Sequence, residues 1–127
     1  MINPTTEPTG RPFDFSKLKA RWNLERAQTR IASARLEALV RLAAAPILQA
    51  YGVTRAYLFG SIAEGRVGAQ SDVDLLVLGV GAAAYWNLRR DLEQALGRPL
   101  DLFTQDDDPV FVAKIIARGQ VIYGPHP

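Results

Sequence analysis

Residues 60–78 read GSIAEGRVGAQSDVDLLVL, and the way that stretch is punctuated decides the fold. It is entered from the apolar run Ala56, Tyr57, Leu58, Phe59, turns at Gly60 and Ser61, and leaves through Asp72-Val73-Asp74 into a second apolar run. Short apolar runs bounded by turn residues read as buried strands. Successive side chains on a strand face opposite sides, so Asp72 and Asp74, two apart, share one face. Two carboxylates beside a buried strand repel each other and lose solvation. A hard divalent cation such as Mg²⁺, which takes oxygen ligands and shares them with phosphates, relieves both difficulties. Gly60 lets the backbone approach a ligand closely, and Ser61 opens a short helix whose first N–H groups and dipole suit an anion. A triphosphate meets that description, so the stretch reads as a phosphate handler.

Outward from this stretch the chain alternates strands and helices. A first strand is predicted from Val53 or Thr54 to Phe59, a short helix over Ser61–Arg66, a loop over Val67–Ser71 and a second strand over Asp72–Val80. Tyr85, Leu88, Leu92 and Leu96 recur every three or four residues and describe an amphipathic helix ended by Gly97. Leu100–Thr104 is a short strand carrying Asp101. The acidic Asp106, Asp107 and Asp108 lead into a helix that starts at Pro109 and stops at Gly119, before a last strand over Val121–Tyr123. The acidic run suits a solvated helix entry, and under another strand register it would supply a metal ligand.

Upstream, Asp14 or Ser16 caps a long helix without glycine or proline until Pro46, which kinks or restarts it before Gly52 ends it. Wound at the helical period it has two apolar faces. One runs through Leu18, Trp22, Ala32, Leu36, Leu39, Val40 and Ala43, the other through Leu24, Ala27, Ile31, Ala38 and Leu42. Either the second face has a partner of its own, a neighbouring protein or a second copy, or the helix breaks near Ala32 and both faces merge into one core. The reading is an α/β (α+β) fold: a small mixed sheet with flanking helices and a long N-terminal helix. Residues 1–13 read as a disordered leader, 14–50 as a helical extension and 51–127 as the domain proper.

A chain of 127 residues holds one ordinary core. Nearly half of it is apolar and 22% is charged, which fits a globular chain and excludes a disordered one. The absence of cysteine excludes disulfides and thiolate metal sites, and with one histidine, His126, a zinc site is not expected. The longest run without a charged or strongly polar residue, Leu75–Trp86, is too short to span a membrane, and the N-terminus lacks the order of a secretion signal. The cytoplasm is the expected location. The net charge of +2 is mild, but arginine is concentrated in the first half of the chain, so charge alone does not dismiss an acidic partner or nucleic acid; a nucleic-acid role is the least expected of the readings.

The order strand, Gly60-Ser61, short helix, loop, then Ser71-Asp72-Val73-Asp74-Leu75-Leu76 on a second strand resembles the DNA polymerase β-like nucleotidyltransferases. Within them it most resembles the minimal nucleotidyltransferases, over about Tyr51 to Tyr123. The resemblance implies two Mg²⁺ ions held by Asp72, Asp74 and a third carboxylate on a neighbouring strand, a place that Asp101 matches. It also implies that Gly60, Ser61 and Ser71 frame a nucleoside triphosphate, ATP. Many members carry an arginine soon after Gly-Ser. Here Ile62, Ala63 and Glu64 stand there and Arg66 is the nearest substitute, with Lys114 and Arg118 further basic residues on the last helix. The implied activity is transfer of AMP to a hydroxyl, commonly a tyrosine of a HEPN-type ribonuclease toxin that such enzymes silence as antitoxins. Two other readings stand beside it: a non-catalytic module that masks its partner, and a small-molecule transferase of the aminoglycoside-modifying type.

Overall fold

The computed structural model describes residues 15–66 and 72–125. The expected leader, a cap from Asp14, the 67–71 loop with Ser71, and His126 lie outside the described residues. Nine segments follow in order: α1 (Ser16–Ala50), β1 (Arg55–Phe59), α2 (Gly60–Ala63), β2 (Val73–Leu78), a 3₁₀ turn (Ala82–Ala84), α3 (Tyr85–Leu96), β3 (Leu100–Thr104), α4 (Pro109–Arg118) and β4 (Gln120–Tyr123).

The four strands form one mixed sheet in the order β3-β2-β1-β4. β1 pairs antiparallel with both β2 and β4, and β2 pairs parallel with β3. A parallel pair needs a long crossover, and α3 provides it. Its Leu88, Leu92 and Leu96 are buried, and Gly97 at φ +64° takes the left-handed conformation that ends such a helix. One face of the sheet packs Ala56, Leu58, Val73, Leu75 and Val77 against Val40, Ala44 and Leu48 of α1 and the leucines of α3. The other face gathers Tyr57, Leu76 and Val121 under Val112 and Ile115 of α4. The result is a three-layer arrangement with the sheet in the middle.

α1 corrects two expectations. It is continuous, so no break occurs near Ala32, and it passes through Pro46 to Ala50. Proline removes one hydrogen bond from a helix. Here Pro46 lies on the solvent side, as does Leu42, whose carbonyl loses that partner, while Ala44 and Leu48 either side are fully buried and hold the turn in place. The helix starts at Ser16 with Phe15 at the capping position and no side-chain cap there.

Only part of either predicted face finds the core. Thirty-five residues span about 52 Å at the helical rise, whereas a five-residue strand spans about 17 Å. The first buried residue of α1 is therefore Ser33, and Leu36, Val40 and Ala43 pack on the sheet. Leu24, Ile31 and Leu42 of the second face stay exposed, but so do Trp22 and Leu39 of the first.

α4 begins where the sequence places it. Asp108 accepts a hydrogen bond from the Val110 amide at 3.0 Å, with Pro109 in the first turn. Asp108→Ala is expected to cost about 1 kcal/mol, the usual worth of such a cap. Thermal unfolding followed by circular dichroism should show a midpoint lower by about 4 °C, given the size scaling of small domains. Among the described residues no helix is long and apolar enough to cross a membrane.

Candidate active site

Strand direction brings the predicted residues together. Because β1 runs antiparallel to β2, and β2 parallel to β3, the end of β1 and the beginnings of β2 and β3 meet at one edge of the sheet. Phe59 is paired with Asp74, and Asp74 with Asp101. Directly paired residues point to the same face, so Asp74 and Asp101 stand side by side on the face that α4 covers. Asp72, one residue ahead of β2, continues the alternation of Asp74 and Leu76 onto that face. Gly60 follows Phe59 and closes the other flank. It adopts φ +78°, and a Cβ built on it would overlap the Asp74 carboxylate oxygen Oδ2. The glycine is thus required twice, for its conformation and for the room it leaves.

Asp74 is half-buried, while Asp72 and Asp101 are exposed. Beneath it three rings pack together: Phe59, Phe103 and Phe111, with centroids 5.7 Å (59 to 103), 5.9 Å (59 to 111) and 5.0 Å (103 to 111) apart. Burial at this apolar wall is the main cause that pushes the Asp74 carboxyl up to about 6. The neighbouring Asp101 charge and hydrogen bond add to it, and the Asp72 charge adds a smaller part. A carboxyl raised in this way sits where its ionised form is disfavoured by burial and by like charge. The donor set, oxygen-only and over-supplied with negative charge, fits a hard divalent cation. Even so, among the described residues no three His, Cys, Asp or Glu side chains converge tightly enough to cage a metal. Asp74 and Asp101 are in direct contact, and Asp72 joins them through its charge from the exposed start of β2.

The other predicted residues divide. Ser61 sits in the first turn of α2, which is shorter than expected and gives way to a turn at Glu64 and Gly65. Arg66 is exposed and ion-paired with Glu64. The acidic run lies beyond the opposite end of β3, where Asp107 accepts from the Thr104 amide at 2.9 Å and Asp108 caps α4. The reading of that run as a metal ligand is therefore wrong, since the β2–β3 register gives Asp101 that side. A cavity of about 430 Å³ lined by Tyr85, Trp86, Thr104 and Asp107 also lies at that opposite end. At the carboxylate end, a cleft of about 280 Å³ is lined by Phe59, Gly60, Glu64, Lys114 and Arg118. Sequence reasoning had no spacing to tie Lys114 and Arg118 to the site. The one signal for them is that they are four apart on a helix, and so share a face.

Residues 43–126 match the family described as Polymerase beta, Nucleotidyltransferase. The chain belongs to the polymerase beta nucleotidyltransferase family. Over 62 residues this nucleotidyltransferase is 40% identical to a Methanocaldococcus jannaschii protein that carries, by assignment, the name protein adenylyltransferase. The match spans 46% of this chain and 67% of that one. Among solved structures, a toxin-antitoxin with AMP-PNP superposes with a TM-score of 0.57 at 26% identity, over 64% of this chain and 70% of that one. A structure described as a minimal nucleotidyltransferase gives 0.52 at 27% identity, over 72% and 92%. The complex of a tri-AMPylated Shewanella oneidensis HEPN toxin with its MNT antitoxin gives 0.54 over 70% and 73%, at 23% identity, which is a likeness of fold alone.

Proposed function

We propose that this nucleotidyltransferase moves AMP from ATP to a tyrosine hydroxyl of a HEPN-type ribonuclease toxin, with Mg²⁺ held by Asp72, Asp74 and Asp101, and so acts as the toxin's antitoxin. The observation that carries the reading is the seat of Asp74 between Gly60 and Asp101, where burial and then like charge push its carboxyl up to about 6. Such a seat stores electrostatic demand for a cation and the phosphates that a cation brings. When bound, the metal supplies charge neutralisation at the phosphates and a lower pKa for the attacking hydroxyl.

The chain's own residues do the rest. Gly60 lets the backbone come close to the phosphates at no steric cost, and Ser61 lies where its hydroxyl can meet them. The acceptor oxygen attacks the α-phosphorus, the bond from that phosphorus to the bridging oxygen breaks, and pyrophosphate leaves with the electron pair. Asp101, exposed beside Asp74, takes the acceptor's proton. Positioning and charge compensation account for most of the rate, as in phosphoryl transfer generally. The catalytic unit is residues 51–127, and 14–50 is the helical extension whose second half is shared with the core.

The likenesses to toxin-antitoxin structures and to an adenylyltransferase by name support the acceptor class. The exposed Leu24, Ile31 and Leu42 on α1 support a protein contact outside the catalytic edge. That contact also supports a second reading, in which the chain masks its partner without chemistry. Incubation with labelled ATP, Mg²⁺ and the HEPN partner should place label on the partner's tyrosine. The label should be absent with Asp72→Asn or Asp101→Asn and with excess chelator. Full neutralisation of the toxin by an Asp72→Asn/Asp101→Asn variant would replace transfer with masking.

A further inference from the structure

α4 crosses β1 on the face that carries the three aspartates and turns its second half toward their end of the sheet. Lys114 and Arg118, one helical turn apart, reach the same cleft as Gly60, whose Cα lies against the Asp74 carboxylate. The cleft's own acid, Glu64, is already engaged by Arg66. Among the described residues neither Lys114 nor Arg118 forms an ion pair. Two uncommitted cations therefore line the same small cleft as Gly60, the residue that lies against the Asp74 carboxylate. Cations gathered beside an anionic centre suit a ligand that is itself strongly anionic, because they add to whatever attraction a metal at the carboxylates supplies.

We propose that Lys114 and Arg118 form the subsite for the β- and γ-phosphates of the nucleoside triphosphate. The inference rests on the nucleotidyl-transfer reading of the aspartates and goes beyond it by assigning the residues that hold the leaving group. It accounts for Ile62, Ala63 and Glu64 after Gly-Ser: the cation absent from that turn is supplied from α4, across the cleft. Arg118 offers a planar fork suited to two phosphate oxygens and Lys114 a point charge on a flexible stem. Negative charge gathers on the bridging oxygen as pyrophosphate departs, and both cations are placed to balance it.

The test is binding, measured by isothermal titration calorimetry with Mg²⁺ present, of a non-hydrolysable ATP analogue, of AMP and of pyrophosphate. Wild type is compared with Lys114→Ala, Arg118→Ala and Arg118→Lys. Each alanine variant should weaken the analogue and pyrophosphate by about tenfold to a hundredfold, the range for a hydrogen bond to a charged group. AMP, which lacks the two outer phosphates, should bind within twofold of wild type and so reports an intact fold. Arg118→Lys should fall between. Should the alanine variants keep wild-type affinity for the analogue and pyrophosphate, this subsite is wrong and the transfer reading stands. If wild type itself binds neither the analogue nor AMP, both are overturned.

Discussion

Asp74→Asn is expected to reduce AMP transfer by on the order of 10³-fold or more, while making the metal-free protein more stable at neutral pH. The first half follows from loss of the central carboxylate, because a metal's charge stabilisation at a phosphoryl group is worth several kcal/mol. The second follows from the same side chain's environment. Its carboxyl rises from 3.8 to about 6 on folding, chiefly through burial and then through Asp101 and Asp72. Between those two values the folded chain binds a proton that the unfolded chain releases, so stability falls as pH rises through the window. Above about 6 the full deficit is present; below about 4 it is gone. The interval corresponds to about 3 kcal/mol, which partial exposure of the carboxyl reduces to the order of 1 kcal/mol.

Asparagine keeps the shape and removes the charge. Its thermal midpoint at pH 7.5 without metal should exceed wild type by about 4 °C, and the difference should close by pH 4. Mg²⁺ should raise the wild-type midpoint at pH 7.5 and leave the variant nearly unmoved, since a ligand stabilises only the state that binds it. A midpoint below wild type would contradict the electrostatic account of the seat, and retained transfer would remove Asp74 from the chemistry.

Much of the architecture was written locally. Leu100–Thr104 is flanked by Gly97 and Pro99, α3 carries four apolar residues at helical spacing, and α4 opens on an Asp-Pro pair whose aspartate does cap it. Pro46 misled because the local rule was outweighed by burial of Ala44 and Leu48 around it. Periodicity also could not tell which apolar residues of α1 would meet a partner, since the short strands, and not the helix pattern, decide where the core ends. Asp72 and Asp74 were legible as a pair because their relation is one of spacing along a single strand. The contact of Asp74 with Asp101, and of Gly60 with Asp74, depends on strand register. Lys114 and Arg118 depend on how α4 folds back. The order of residues marks Asp101 only through the family resemblance, and Lys114 and Arg118 only as neighbours on one helix face.

Gly60→Ala should lose transfer nearly as completely as Asp74→Asn, yet by a steric route. Alanine in the left-handed region costs about 1–2 kcal/mol wherever it occurs. At this position its Cβ would also occupy the place of the Asp74 carboxylate, which has to move. A displacement of about 1 Å at a reacting centre costs on the order of 10²-fold. Gly52 provides the control. It has nearly the same conformation, φ +72° against +78°, but a Cβ there meets nothing within 4 Å. Gly52→Ala should therefore show the backbone cost in urea unfolding while transfer stays at the wild-type rate. Gly60→Ala should show a larger loss of stability together with loss of transfer. The clash itself can be isolated by removing the other partner. In an Asp74→Ala background the overlap is gone, so Gly60→Ala should cost only what Gly52→Ala costs, and the double variant should be more stable than the two single losses sum to. Additive losses would mean that Gly60 and Asp74 do not touch, and the geometry of the site would have to be redrawn around Asp101 alone.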